Sequence, residues 1–281
     1  MFNFIYKNLN LLFFGFLIAF ASGFGQTFFI SLFSQDFRDT FELTNTEFGS
    51  LYSIATVLSA ITIIWAGKLI DTVSLRKYTL AIILGLSITC LMASFVFSVF
   101  FLFLVIYFLR LFGQGLMGHT SRTTMARYFN TNRGKALAIS GFGFSVGEII
   151  YPAAVVFLLL TIGWRLTWFS SSIFILIFFG IFFYFIFKIN NFKKENNRDE
   201  KIDLSEISWR RRDVLKDFKF YMYLPLSLLM SFTVTGFLFH QVYIAEIKSW
   251  TLINLAQGFI FYAISGITGS IISGILIDKL T

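Results

Sequence analysis

Long apolar runs separated by short polar links dominate the chain. A helix needs about 20 apolar residues to cross the hydrocarbon core of a bilayer. On that rule the pattern predicts eight spans, at roughly 9–34, 46–66, 78–98, 100–120, 136–161, 166–188, 219–244 and 252–273. The second span opens on Thr44-Asn45-Thr46-Glu47, capping hydroxyls followed by an acid in the first turn, which is a helix-start signal. One link is long: residues 189–218 are polar and charged. The predicted organisation is a six-helix bundle over 1–188, a linker over 189–218, and two further helices over 219–281. The fold class is all-α, a polytopic membrane protein.

Composition agrees with that class. Of the residues 57% are hydrophobic and 14% charged, with 40 Phe in 281 positions and a mean hydropathy of +0.76. A soluble domain is nearer 45–50% apolar and about 25% charged. Two Pro and one Cys leave no disulfide framework or Cys-based metal site. The net charge of +8 does not point to nucleic acid, because the basic residues fall in the gaps between spans. Alternating the spans from a cytoplasmic N-terminus places 19 of the 23 Lys and Arg inside and three (Arg38, Arg165, Lys248) outside, with Arg110 inside a helix. That asymmetry sets the orientation, with the N-terminus in the cytoplasm. The first run and Ala19-Phe20-Ala21 mimic a secretory leader. The apolar run continues to Phe33, so an uncleaved first helix is expected.

The chain carries an internal repeat. Gly67-Lys68-Leu69-Ile70-Asp71 follows the second span and Gly274-Ile275-Leu276-Ile277-Asp278 closes the eighth, with Gly274 207 residues after Gly67 and Asp278 207 after Asp71. The offset matches a six-helix unit, and parallel six-helix repeats are a known transporter architecture. The segment Gly67 to Asp71, continuing to Arg76-Lys77, resembles the loop signature between the second and third helices of the major facilitator superfamily. Thr72, Ser74 and Leu75 depart from it. Arg110-Leu111-Phe112-Gly113-Gln114-Gly115 is similar to that family's fourth helix, and Arg133-Gly134-Lys135-Ala136 and Gly163-Trp164-Arg165 are also typical. The resemblance implies a complete N-terminal six-helix bundle and the first two helices of a second, from a twelve-helix pattern that this sequence leaves C-terminally truncated. It also implies gating by Gly67, Asp71, Arg76, Lys77, Gly274 and Asp278, with Asp71 locking against an eleventh helix. The look is nearest the monocarboxylate and oxalate–formate branch. That branch binds carboxylate with an Arg in the eighth helix, whereas residues 252–273 carry no charge.

Ionisable groups inside a membrane are functional candidates. Two roles fit Arg110: a structural group bonded to carbonyls of the first helix, or a cation facing a cavity. Glu148 lies about 7 Å from Arg110 in height by helical rise. It is either the partner of Arg110 or a carboxylate that takes up and releases protons. Ser22, Gly23, Gly25 and Gln26 make the first helix polar at mid-membrane, and Thr233, Thr235, Gly236, His240 and Gln241 do the same for the seventh. Gln26, His240 and Gln241 are therefore substrate-contact candidates, although such side chains also join helices. His119 reads as interfacial, the many Phe as lipid-facing, and Trp164, Trp168 and Trp250 as an interfacial belt. No catalytic group, metal site or cofactor is expected. The expected partners are a small-molecule solute, protons and the lipid bilayer of the plasma (inner) membrane, with the protein a monomer. The function expected is a proton-coupled secondary transporter of a small organic solute, with a monocarboxylate in view. Alternatives are a multidrug or metabolite efflux antiporter, a non-transporting sensor and a membrane-embedded enzyme. Gly141, Gly143, Gly147 and Pro152 match the drug–proton antiporter signature only in part, because Glu148 follows Gly147.

Overall fold

The computed structural model describes residues 2–129, 132–189 and 211–280, with side chains up to residue 269 in the last helix. Most of the predicted linker, residues 190–210, and the side chains of Gly274 and Asp278 lie outside the described residues. All described secondary structure is helical, and it supplies the eight predicted spans.

Helix α1 starts as Leu9–Ala21, passes through a tight turn at Ser22–Gly25, and resumes to end with Ser34–Phe41. Its two halves meet at 41°. Helix α2 is Asn45–Ala66, and Thr44 with Glu47 forms a full capping box at its start. Helix α3 is Leu75–Ser94. Helix α4 begins as Val99–Phe108, widens into π turns over Leu109–Met117 and finishes as Gly118–Tyr128. Arg133–Lys188 is a run of 56 helical residues, about 84 Å at 1.5 Å per residue, far beyond a hydrocarbon core of about 30 Å. Gly163, with φ of 74°, divides it into α5 (133–162) and α6 (164–189). Arg165, Ser172 and Tyr184 of α6 meet Ser94, Ser87 and Arg76 of α3 in that order. The chain therefore turns back on itself at Gly163 and α6 runs antiparallel to α3. Helices α7 (Phe218–Lys248) and α8 (Leu252–Leu280) complete the described chain.

Hydrophobic burial cannot drive helices together in lipid, so close approach and polar contacts carry the assembly. Helix α1 is the hub. A Cβ on Gly25 would stand 2.2 Å from the Leu109 carbonyl oxygen, and one on Gly113 would stand 2.5 Å from the Gly25 Cα, so α1 and α4 cross backbone to backbone. Gly143 of α5 approaches the Phe16 carbonyl in the same way. Ser121 donates to the Gly15 carbonyl and Tyr151 to the Phe20 carbonyl.

Two aromatic expectations need correction. Trp168 is not interfacial: it is fully buried, with ring centroids 5.4 Å from Phe29 and 4.6 Å from Phe33. Nor are all the Phe residues lipid-facing. Phe14, Phe29, Phe33, Phe37 and Phe48 are fully buried and line the inner side of α1 and α2. They fill the gaps that the small residues of α1 leave where no close crossing occurs, and Trp168 has the volume to close the last of them.

The basic residues gather at one end of the bundle, where Arg127 pairs with Asp71. At the opposite, far end, α1 meets α7. Ser31 donates to the Leu238 carbonyl at 2.8 Å, and Arg38 pairs with Glu246 at 2.6 Å. Ser31 and Leu238 are 207 positions apart, the offset of the Gly67/Gly274 repeat. Helix α1 thus meets α7 at positions separated by that same offset.

Candidate functional site: the central cavity

A cavity of about 550 Å³ lies between α1, α2, α4 and α5 on one side and α7 and α8 on the other. It runs from Phe28 at mid-span towards Arg122 near the basic end. At its far end it is closed by the α1–α7 contacts and by Phe239 against Phe48 and Tyr52.

The upper wall is built around the break in α1. Gln26 has extended backbone angles (φ −80°, ψ 155°), and the amides of Phe29 and Ile30 both turn to the Gln26 carbonyl. The Gly25 carbonyl is left without its helical donor. Arg110 replaces it: Nη1 donates to Gly25 at 3.4 Å and to the Thr27 hydroxyl at 3.1 Å. Tyr52 donates to the same hydroxyl at 2.9 Å, and its ring sits 5.3 Å beneath the guanidinium. Broken backbone at membrane depth survives only where protein groups satisfy it. Arg110, 4% exposed, is that group. Its Nε has no hydrogen-bond partner, and the side chain lines the cavity. Both roles expected of Arg110 therefore coincide in one residue.

Glu148 and Arg110 share the cavity but do not pair. Among the described residues Glu148 has neither an ion pair nor a hydrogen bond, and it faces Tyr262 of α8 across the space. Counting residues along two helices gives their relative height and not the direction each side chain takes.

Gln26 lines the cavity beside Arg110, and Thr235 contributes from α7. His240 and Gln241 do not line it. Gln241 is buried between α7 and α1, donating to the Phe28 carbonyl at 3.0 Å and to Ser31 at 2.7 Å. His240 is exposed on the outer side, edge-on to Phe239. For His240 the reason is helical phase, two residues past the cavity-lining Leu238. Gln241, three residues past it, shares the face of Leu238 but lies one turn further along, where α7 closes on α1.

Gating candidates Gly67, Asp71, Arg76 and Lys77 lie at the basic end. Asp71 pairs with Arg127 of α4, whose guanidinium also reaches the Ile70 carbonyl at 3.4 Å. Arg76 lies over the Tyr184 ring at 5.5 Å, and Gly67 packs near the His119 imidazole.

Among the cavity residues that escaped the sequence pattern are Gln114, His119 and Arg122. His119 is not merely interfacial, for it lines the cavity with Nδ1 buried and unpartnered. On an unbroken α-helix nine residues make two and a half turns, so His119 would stand opposite Arg110. The π turns of α4 follow an i→i+5 register. They delay the rotation of everything after them, and Arg110, Gln114, His119 and Arg122 all reach one cavity. The glycine-rich Phe112-Gly113-Gln114-Gly115 marks where such a widening is tolerated, although it does not specify one.

Among the described residues no group of three His, Cys, Asp or Glu side chains could hold a metal ion. The cavity thus offers two guanidiniums, an imidazole, a carboxylate, and amide and hydroxyl groups, a set suited to binding a polar solute and unsuited to covalent chemistry. No curated protein matches the chain. A family model described as Major Facilitator Superfamily matches residues 15–281.

Proposed function

The chain belongs to the major facilitator superfamily, a family of transporters that move small solutes across membranes, and from that premise we propose that it is a proton-coupled secondary transporter of a small organic anion, with monocarboxylates the leading class. The observation that carries this reading is the pair of walls around the central cavity. Arg110, with an unused Nε, faces it from α4, and an unpaired Glu148 faces it from α5. An intramembrane guanidinium attracts an anion, and an intramembrane carboxylate with no fixed cation is costly to hold charged, so it is suited to carrying a proton. With Arg122 counted, cationic groups outnumber carboxylates along the lining, which favours an anionic cargo over the cationic cargo of many efflux antiporters.

Alternating access then means rocking of the 1–188 bundle against the helices of 219–281 around this cavity. The α1–α7 contacts close the far side in the state described. The excess of Lys and Arg at the end bearing Asp71 and Arg127 supports a cytoplasmic position for that end and for the N-terminus, and we propose a monomer in the plasma (inner) membrane. The test is uptake into vesicles reconstituted with the full chain, using labelled lactate as probe and an imposed pH gradient. Glu148→Gln is expected to abolish the response of uptake to the gradient while leaving counterflow of the probe measurable. Unchanged pH-gradient dependence in that variant would remove Glu148 from the mechanism.

A further inference from the structure

Below the Arg110 wall the cavity holds a second group of polar side chains. His119 lines it with Nδ1 buried and without a hydrogen-bond partner, while its other ring nitrogen lies 3.3 Å from the Thr123 hydroxyl. The imidazole lies beside Gly67, where an added Cβ would stand in ordinary van der Waals contact with its Cε1, at 3.5 Å. Three residues along, Arg122 is exposed to the cavity. Its guanidinium lies 5.4 Å over the Phe144 ring, and among the described residues it has no carboxylate partner. The stack on Phe144 fixes the plane of the guanidinium and leaves its N–H edge free. The imidazole and the guanidinium lie one turn apart on the same helix, His119 with an unpartnered Nδ1 and Arg122 with no carboxylate beside it among the described residues.

We propose that His119 and Arg122 form a second oxyanion-binding station, where the carboxylate or phosphate group of a solute rests between the cytoplasm and the Arg110 wall. The proposal rests on the cavity being the solute path, as set out above. Its physical basis is the π-turn re-phasing of α4, which puts these donors on the same cavity as Arg110 in place of the opposite face of the helix. Twelve residues of helix separate Arg122 from Arg110, roughly 18 Å of rise at most. One small solute cannot span that distance, so the two are successive stops and not two ends of a single site. A charged path made of several weak stations lets an ion enter and also leave.

The sequence holds only two histidines. His119 lies in the cavity and His240 outside it, so His240 is a built-in control. The experiment is nitrogen NMR of histidine-labelled full chain in lipid nanodiscs, titrated with sodium acetate, sodium phosphate or sodium chloride, with His240→Gln assigning the two signals. The expected result is a saturating shift of the His119 ring nitrogens with acetate, phosphate or both, none with chloride, and no movement of His240. Acetate alone would identify a carboxylate station, and phosphate alone a phosphate station. Arg122→Gln, at an exposed position that the fold does not depend on, should raise the half-saturating concentration about tenfold, the size of one lost charge-assisted hydrogen bond. A linear, chloride-like response, or an Arg122→Gln response equal to the parent, overturns the station. Vesicle flux measured in parallel separates the two claims. Flux without a His119 response removes the station and keeps the transporter, and a His119 response without flux does the reverse.

Discussion

Helices α1 and α7 occupy equivalent places in the two halves, and they touch at positions one repeat apart, yet they are built differently. Helix α1 is broken at Gln26, lined with Gly, Ser and Ala, and buried along most of its length. Helix α7 is continuous over 31 residues despite Pro225, and among its described side chains only the far half is packed, with Phe232 still 80% exposed. The difference lies in what stands behind each helix. Helix α1 has Arg110 and Tyr52 to replace the hydrogen bond lost at its break and Gly113 to let it come close. Among the described residues α7 has no buried cation beside it. A repeat can therefore keep its helix order while only one copy develops an irregular, polar mid-section, and that copy shapes the upper wall of the cavity.

Three experiments would break or sharpen this contrast. The largest effect is expected from Gly113→Leu, which forces α1 and α4 apart at their closest crossing. Overpacking of this kind costs about 3 kcal/mol or more, read as a large fall in the thermal midpoint of the detergent-solubilised protein. Gly236→Leu, the matching insertion in α7 where nothing lies within 4 Å of a Cβ, should leave the midpoint nearly unchanged. Next comes Arg110→Ala, which leaves the Gly25 carbonyl without its donor and the Thr27 hydroxyl with that of Tyr52 alone. Loss of a charged donor to buried acceptors costs about 2 kcal/mol, and amide exchange should accelerate around residues 22–30 while α7 stays protected. The smallest effect belongs to Arg38→Gln with Glu246→Gln. The pair is only partly buried, at 12% and 30% side-chain exposure, so its contribution is about 0.5 kcal/mol. Spin labels at the far ends of α1 and α7 should nevertheless report a population with greater separation, since this pair joins the two halves.

Much of this architecture was legible in the sequence. Hydropathy alone located eight spans because length against bilayer thickness is a coarse and forgiving criterion. The predicted 46–66 corresponds to Asn45–Ala66, and the capping box supplied its start. Ends that protrude past the hydrocarbon, such as Ser34–Phe41 and Gly118–Tyr128, were underestimated because their polar residues leave the hydropathy window before the helix stops. The cavity was legible in part. Arg110, Glu148 and Gln26 stood out as polar groups at membrane depth, and the structure places all three on the lining. The direction of each side chain was not legible. His240 turned away from the cavity and His119 turned into it, because azimuth depends on the exact winding of the helix, and Gln241 lies one turn beyond the cavity where α7 meets α1. The π turns of α4 and the break in α1 both arise from how those two helices meet at Gly25 and Gly113. That is a tertiary event which no local sequence rule encodes.

The reversal at Gly163 has a mechanical consequence. A single residue in a left-handed conformation joins two membrane-length helices, and open space surrounds it. A connector that short contributes no slack. Any tilt of α5, which carries Glu148, is passed directly to α6 and from there through the reciprocal Ser87–Ser172 hydrogen bonds to α3. A displacement of the cavity wall would thus be felt on the far flank of the bundle, with Gly163 the one residue at which the two helices can change their angle.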